Sequence, residues 1–213
     1  MARRALTTTA TTLAAALLLG ACGGGGDSPD DIKGADKGSG SPSATAAADD
    51  AGPDLSLPSD LKVEFDGTKP SDAQHAAALE NAENYILALN HGITAQDPKD
   101  PAYQFYSLGS AAKYAQTQIQ AYVDGEWTAT GTDSYYQAKT DDVASSGGVL
   151  VTMCRDQGKF YGKNVKTEKV KYTKPSLNDY QEFRLLMKPP QGDQKIWKVL
   201  QIEVQGRVQE CKR

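Results

Sequence analysis

The chain has 213 residues, with 23 basic and 27 acidic side chains, two histidines and three cysteines. A net charge of −4 with a sequence pI near 5.2 gives no electrostatic basis for binding a nucleic-acid backbone, which needs a concentrated positive face. Two histidines and three cysteines are too sparse for a zinc framework or a histidine-assisted cysteine nucleophile; no Gly-x-Ser-x-Gly elbow and no phosphate loop occurs.

The amino terminus places Arg3 and Arg4 before an uncharged apolar run from Ala10 to Leu19. This is the pattern of an export signal, with a basic start and an apolar core too short to span a bilayer permanently. The run ends in Leu19-Gly20-Ala21-Cys22, which resembles the lipobox of bacterial lipoproteins. That resemblance implies cleavage after residue 21, acylation of the Cys22 thiol, and attachment at the extracytoplasmic face of the cell membrane. Two acyl chains hold stably because each buried methylene contributes about 0.8 kcal/mol.

Residues 22–58 are expected to form a tether. From Gly23 to Asp60 eight aspartates stand against Lys33 and Lys37, and large apolar side chains are scarce. Such a segment cannot bury enough surface to offset its ordering entropy. As a flexible coil it would reach roughly 30 to 36 Å. The remaining 59–213 suffice for one folded domain.

Leu55, Leu57, Leu61, Val63 and Phe65 alternate and predict an extended entry strand. Ser71 is placed to cap a helix from Asp72 to about His91, with Leu79, Ala82, Ile86 and Leu89 on one face and Gly92 as its stop. A turn at Asp97–Pro101 leads to a short helical stretch, Ala102 to Tyr106. Ser110 is expected to cap a further helix that ends at Asp124-Gly125. From Trp127 onward β-branched and aromatic residues dominate. Strands are predicted at about Thr128 to Lys139, Gly148 to Cys154, Val165 to Tyr172, Tyr180 to Lys188 and Lys195 to Gln205, with Asp156-Gln157-Gly158 as one of the turns. Helices followed by an antiparallel sheet make an α+β fold with the helices on one sheet face.

With Cys22 assigned to lipid, Cys154 and Cys211 are expected to form a disulfide outside the cell. The helices, the long sheet, Cys154-Arg155-Asp156, the Ile196-Trp197-Lys198-Val199 run and the late cysteine together resemble actinobacterial lipoproteins of the cone-shaped nuclear-transport-factor-2-like superfamily. The resemblance implies a curved antiparallel sheet wrapped around a helix and enclosing a cavity. Members of that superfamily include isomerases, cyclases and non-catalytic adaptors, so the fold alone selects none of these.

An isomerase on this fold would place a carboxylate base and a hydroxyl donor inside the cavity. Tyr85, Tyr106, Tyr114, Tyr136 and Trp197 are the candidate cavity-lining residues, with Tyr135 a further tyrosine in the same run. Asp133, Asp141 and Asp142 fall in predicted strand ends or loops, which argues against a buried base and leaves no catalytic residue assigned. Lys159, Lys163 and Lys166 are candidate anion contacts, with strand-edge lysines that deter pairing as the alternative. His75 and His91 are too far apart for one metal, so neither a metal nor a cofactor is expected. The reading is a lipid-anchored extracytoplasmic module that binds or scaffolds, its partner an envelope protein or wall polymer. A small apolar ligand in the cone, or an isomerase or cyclase activity, is the alternative.

Overall fold

The computed structural model describes residues 52–213. The expected export signal, Cys22 and most of the expected tether therefore lie outside the described residues. Leu55 and Leu57 pack against the core, so chain assigned to the tether on composition already contributes apolar contact.

Elements follow in the order β1 (Leu61–Asp66), α1 (Ala73–Ala95), α2 (Pro101–Tyr106), α3 (Gly109–Asp124), β2 (Trp127–Val143), β3 (Gly148–Asn164), β4 (Val170–Lys171), β5 (Tyr180–Lys188) and β6 (Lys198–Gly206). The fold is α+β, as expected, with a curved mixed sheet. Its order is β1-β2-β3-β5-β6, with β4 paired to β3. β1 runs parallel to β2, and the other ladders are antiparallel.

Asp72, one residue later than expected, caps α1: its carboxylate accepts from the backbone N–H groups of Gln74 and His75, each at 2.9 Å. A carboxylate at that position also offsets the positive end of the helix dipole. α1 continues past Gly92 to Ala95 and closes on Gln96 in the left-handed region. Gly92 is buried here because α3 passes close by; a Cβ would lie 2.5 Å from Ile119 Cδ1. Its missing side chain serves packing, where sequence reasoning took it for a stop signal. Ala78, Ala82, Tyr85, Ile86 and Ala88 are fully buried, and the Tyr85 hydroxyl donates to Ala111 O at 2.8 Å, fastening α1 to α3.

Ser110 does not cap α3. The helix has no side-chain cap, and the Leu108 N–H instead donates to Val199 O on β6 at 2.9 Å. Sheet pairing substitutes for a capping side chain, a partner that local sequence does not reveal.

β2 and β3 are each 17 residues long, longer than expected. Asp156-Gln157-Gly158 is not a turn but part of β3. Asp156 does accept from the Gly158 N–H at 2.9 Å, yet the β2–β3 ladder continues on both sides of it, with a register shift between Thr132 and Ser134. At Gly131 φ is +95°, and a Cβ there would collide with Lys159 O; the irregular crossing depends on glycine. The turn lies further on, where the Asn164 side chain accepts from the N–H groups of Lys166 and Thr167. Of the strand expected over Val165 to Tyr172 only Val170–Lys171 pairs. β6 begins at Lys198, after Trp197.

The helices cover the inner face of the sheet. Tyr135 sits at its centre, stacked on Phe65 and edge-on to Phe183, with both centroid separations 5.4 Å. A separate cluster on the other side joins Tyr136, Cys154, Val208 and Cys211. Cys154 and Cys211 form the expected disulfide, with Cα atoms 5.4 Å apart. Among the described residues no helix is long and apolar enough to cross a membrane.

Candidate functional site

Between α3 and the inner face of the sheet lies an open cleft of about 510 Å³, within the roughly 300 to 1,000 Å³ typical of small-molecule sites. Tyr114, Gln118 and Tyr122 form one wall. Their spacing of four residues stacks them along a single face of α3. Arg155, Phe160 and Gln181 form the opposite wall, and Lys174 and Asn178 stand on the segment that follows β4.

Arg155 is the most extensively hydrogen-bonded side chain of this site. Nε donates to Asp133 Oδ1 at 2.6 Å and Nη2 to Asp133 Oδ2 at 2.9 Å, a two-point contact, while Nη1 donates to Gln181 Oε1 at 3.0 Å. The Tyr135 hydroxyl also donates to Asp133 Oδ2, at 3.1 Å. Asp133 is fully buried and the Arg155 side chain is 14% exposed. The guanidinium carbon lies 5.0 Å from the ring centre of Phe160 and 5.6 Å from that of Phe183. Burial works against the Arg155 charge, but the Asp133 carboxylate beside it outweighs that cost and raises its pKa above the usual arginine range. Burial, opposed by Arg155, raises the Tyr135 phenol well above its ordinary value, so that it remains a neutral donor. A buried pair of this kind holds its geometry because removing either partner strands the other charge.

Above this floor the cleft is polar and open to solvent. The hydroxyls of Tyr114 and Tyr122 and the amide of Gln118 have no hydrogen-bond partner among the described residues. Both phenols are raised in pKa, by burial first, with Arg155 opposing. The guanidinium has five N–H donors, of which three are engaged by protein.

Of the five residues expected in a cavity, Tyr114 alone lines this cleft. Tyr85 is enclosed between helices, and Trp197 and Tyr106 are 5% exposed within the core. Tyr136 points to the other side, where its hydroxyl donates to Cys211 O, and it also borders a pocket of about 110 Å³ with Phe65, Leu79 and Met153. The three lysines are not gathered into one site either. Lys163 pairs with Asp60 and Lys166 with Glu126, each at 2.5 Å. Lys159 borders a shallow hollow with Asp156 and Arg213. His75 contacts Thr140 and Asp142, and His91 contacts Asp100 at 2.7 Å. Among the described residues no cluster of three or more His, Cys, Asp or Glu side chains could hold a metal ion.

Sequence reasoning missed Asp133, Arg155, Gln118, Tyr122 and Gln181 as members of one site. Asp133 is not at a strand end: it lies within β2 at the register shift. The available signal was alternation, since a charged Arg155 occupies the same face of β3 as the buried Val151 and Met153.

Compared with known proteins, the chain matches no family model, no curated protein and no solved structure.

Proposed function

We propose that the protein is a non-catalytic binding module built on a nuclear-transport-factor-2-like cone, anchored by lipid on Cys22 and held at the extracytoplasmic face of the membrane, where it engages an envelope component. The cone is supported by helices packed against the inner face of a curved sheet. One observation carries the preference for binding over catalysis. A general base must be free to take a proton, whereas both oxygens of Asp133 are occupied by Arg155 and one of them also by the Tyr135 hydroxyl. An acid held in that way is a structural anion. For a small apolar ligand, the pocket beside Phe65 and Met153, at 110 Å³, falls below the range of ligand sites.

The test uses the full-length protein and two measurements. Radioactive palmitate should label the wild-type chain and not Cys22→Ser, and envelopes stripped of lipid with detergent, mixed with protein kept in detergent so that the acyl chains cannot carry it down, should sediment with the wild-type protein more than with the Tyr114→Ala/Tyr122→Ala variant. Equal labelling of both chains would overturn the anchor. Equal sedimentation of both would overturn the cleft as the binding site.

A further inference from the structure

We infer that the cleft between α3 and β3–β5 takes a neutral, hydroxyl-rich ligand, a glycan segment, held between the Tyr114–Gln118–Tyr122 stripe and the Arg155 floor. This rests on the binding-module reading above and gives it a ligand class. Three observations converge on it.

The charges at the site cancel in place. Arg155 is matched by Asp133 at 2.6 Å. Asp179, the one acid lining the cleft, already accepts from the Ser176 N–H at 2.7 Å. Lys174 is the other lining cation, and a single exposed lysine beside a buried carboxylate gives little reason to prefer an anion. An acidic polymer would have to approach the Asp133 carboxylate without any surplus positive charge to hold it.

The groups left without a protein partner are those that hydroxyls pair with. Phenolic oxygens, a carboxamide and the two remaining guanidinium N–H donors offer both donors and acceptors around the same space. Hydroxyl groups on a ligand could meet either kind. A ligand lacking either donors or acceptors would bury part of the set unpaired, which weakens binding.

Aromatic surface accompanies these polar groups. Tyr114, Tyr122 and Phe160 line the same space, and a tyrosine presents an apolar body with a polar tip. A sugar ring has matching chemistry, with C–H faces and a hydroxyl rim. A purely apolar ligand would use the rings and leave the amides and guanidinium stranded.

The experiment titrates the full-length protein, purified in detergent, with three neutral hexasaccharides: chitohexaose, cellohexaose and maltohexaose. Binding is followed through backbone amide NMR shifts. At least one should bind saturably and shift residues of α3 and β3. Tyr114→Ala and Tyr122→Ala should each weaken that binding by about tenfold, the ordinary loss at an anchoring aromatic side chain. Tyr122→Phe, which keeps the ring and removes only the hydroxyl, should weaken it less, and Phe105→Ala, on an exposed residue of α2 that does not line the cleft, should leave it unchanged. Polyglutamate serves as the anionic probe. The inference is overturned if no hexasaccharide binds, if the Tyr→Ala variants bind like the wild type, or if polyglutamate binds in their place. Envelope sedimentation that persists without hexasaccharide binding would overturn the ligand class and leave the binding module standing. Loss of both in the wild type would remove the two together.

Discussion

Cys154 and Arg155 are adjacent on β3 and have opposite surroundings. Cys154 faces outward with Tyr136 into the small cluster closed by Val208 and Cys211. Arg155 faces inward to Asp133, beneath the cleft. The outer face is fastened covalently, and Arg213 adds a cation–π contact 4.1 Å from the Tyr136 ring centre. The inner face is fastened without a covalent link, by charge, hydrogen bonds and core packing. The difference shows two ways of fixing the same pair of long strands. A bond between side chains tolerates water around it, whereas an ion pair in the core requires every polar atom nearby to be accounted for.

The sharpest test of this contrast lies on the inner face. Asp133→Ala should destabilise the protein by about 3 to 5 kcal/mol, because it leaves Arg155 buried without its counter-charge. The double variant Asp133→Leu/Arg155→Met removes both charges and should recover most of that loss. Urea unfolding of the three proteins measures it, and a double variant as unstable as Asp133→Ala would show that the pair matters for more than charge balance. On the outer face, Cys154→Ser/Cys211→Ser opens a cross-link of sequence separation 57. The expected loss is about 2 to 4 kcal/mol, since the chain-entropy model gives roughly 4 and native strain lowers it. The same unfolding curves, with and without reductant, check that the wild type loses a similar amount on reduction.

The smallest effect concerns Glu83, half-buried on α1 beside the pocket lined by Tyr135 and Met153. Burial raises its pKa, with Lys69 opposing and Glu80 adding to the rise. A carboxyl group with a raised folded-state pKa binds its proton more tightly in the native protein. Wild-type stability should therefore fall slightly as pH rises from the ordinary glutamate range through the raised value. Glu83→Gln should flatten that slope and gain no more than about 0.5 kcal/mol at neutral pH. Thermal unfolding between pH 4 and pH 7 measures it.

Much of the architecture was legible because it rests on local periodicity. The apolar face of α1, the short α2, the helix ending at Asp124 and the switch to strands near Trp127 all follow from side-chain spacing that an isolated segment displays. The α+β class follows from their order. What escaped depends on partners distant in sequence. Gly92 reads as a helix stop until Ile119 is placed beside it, and Ser110 reads as a cap until Val199 supplies the backbone acceptor for Leu108. Asp156-Gln157-Gly158 has turn composition, but the β2 ladder resumes beyond it and carries β3 through. The site escaped for the same reason. Tyr114 was recognised as a residue type, whereas Arg155 and Asp133 are 22 residues apart and acquire meaning only from the register of β2 and β3.

That register has a consequence for how the molecule matures. A slip of one position along β3 would turn Cys154 inward and Arg155 outward, since neighbouring side chains occupy opposite faces. In that arrangement the thiol cannot meet Cys211, and the guanidinium loses its carboxylate. The Cys154–Cys211 bond is thus compatible only with the register that also assembles the cleft floor.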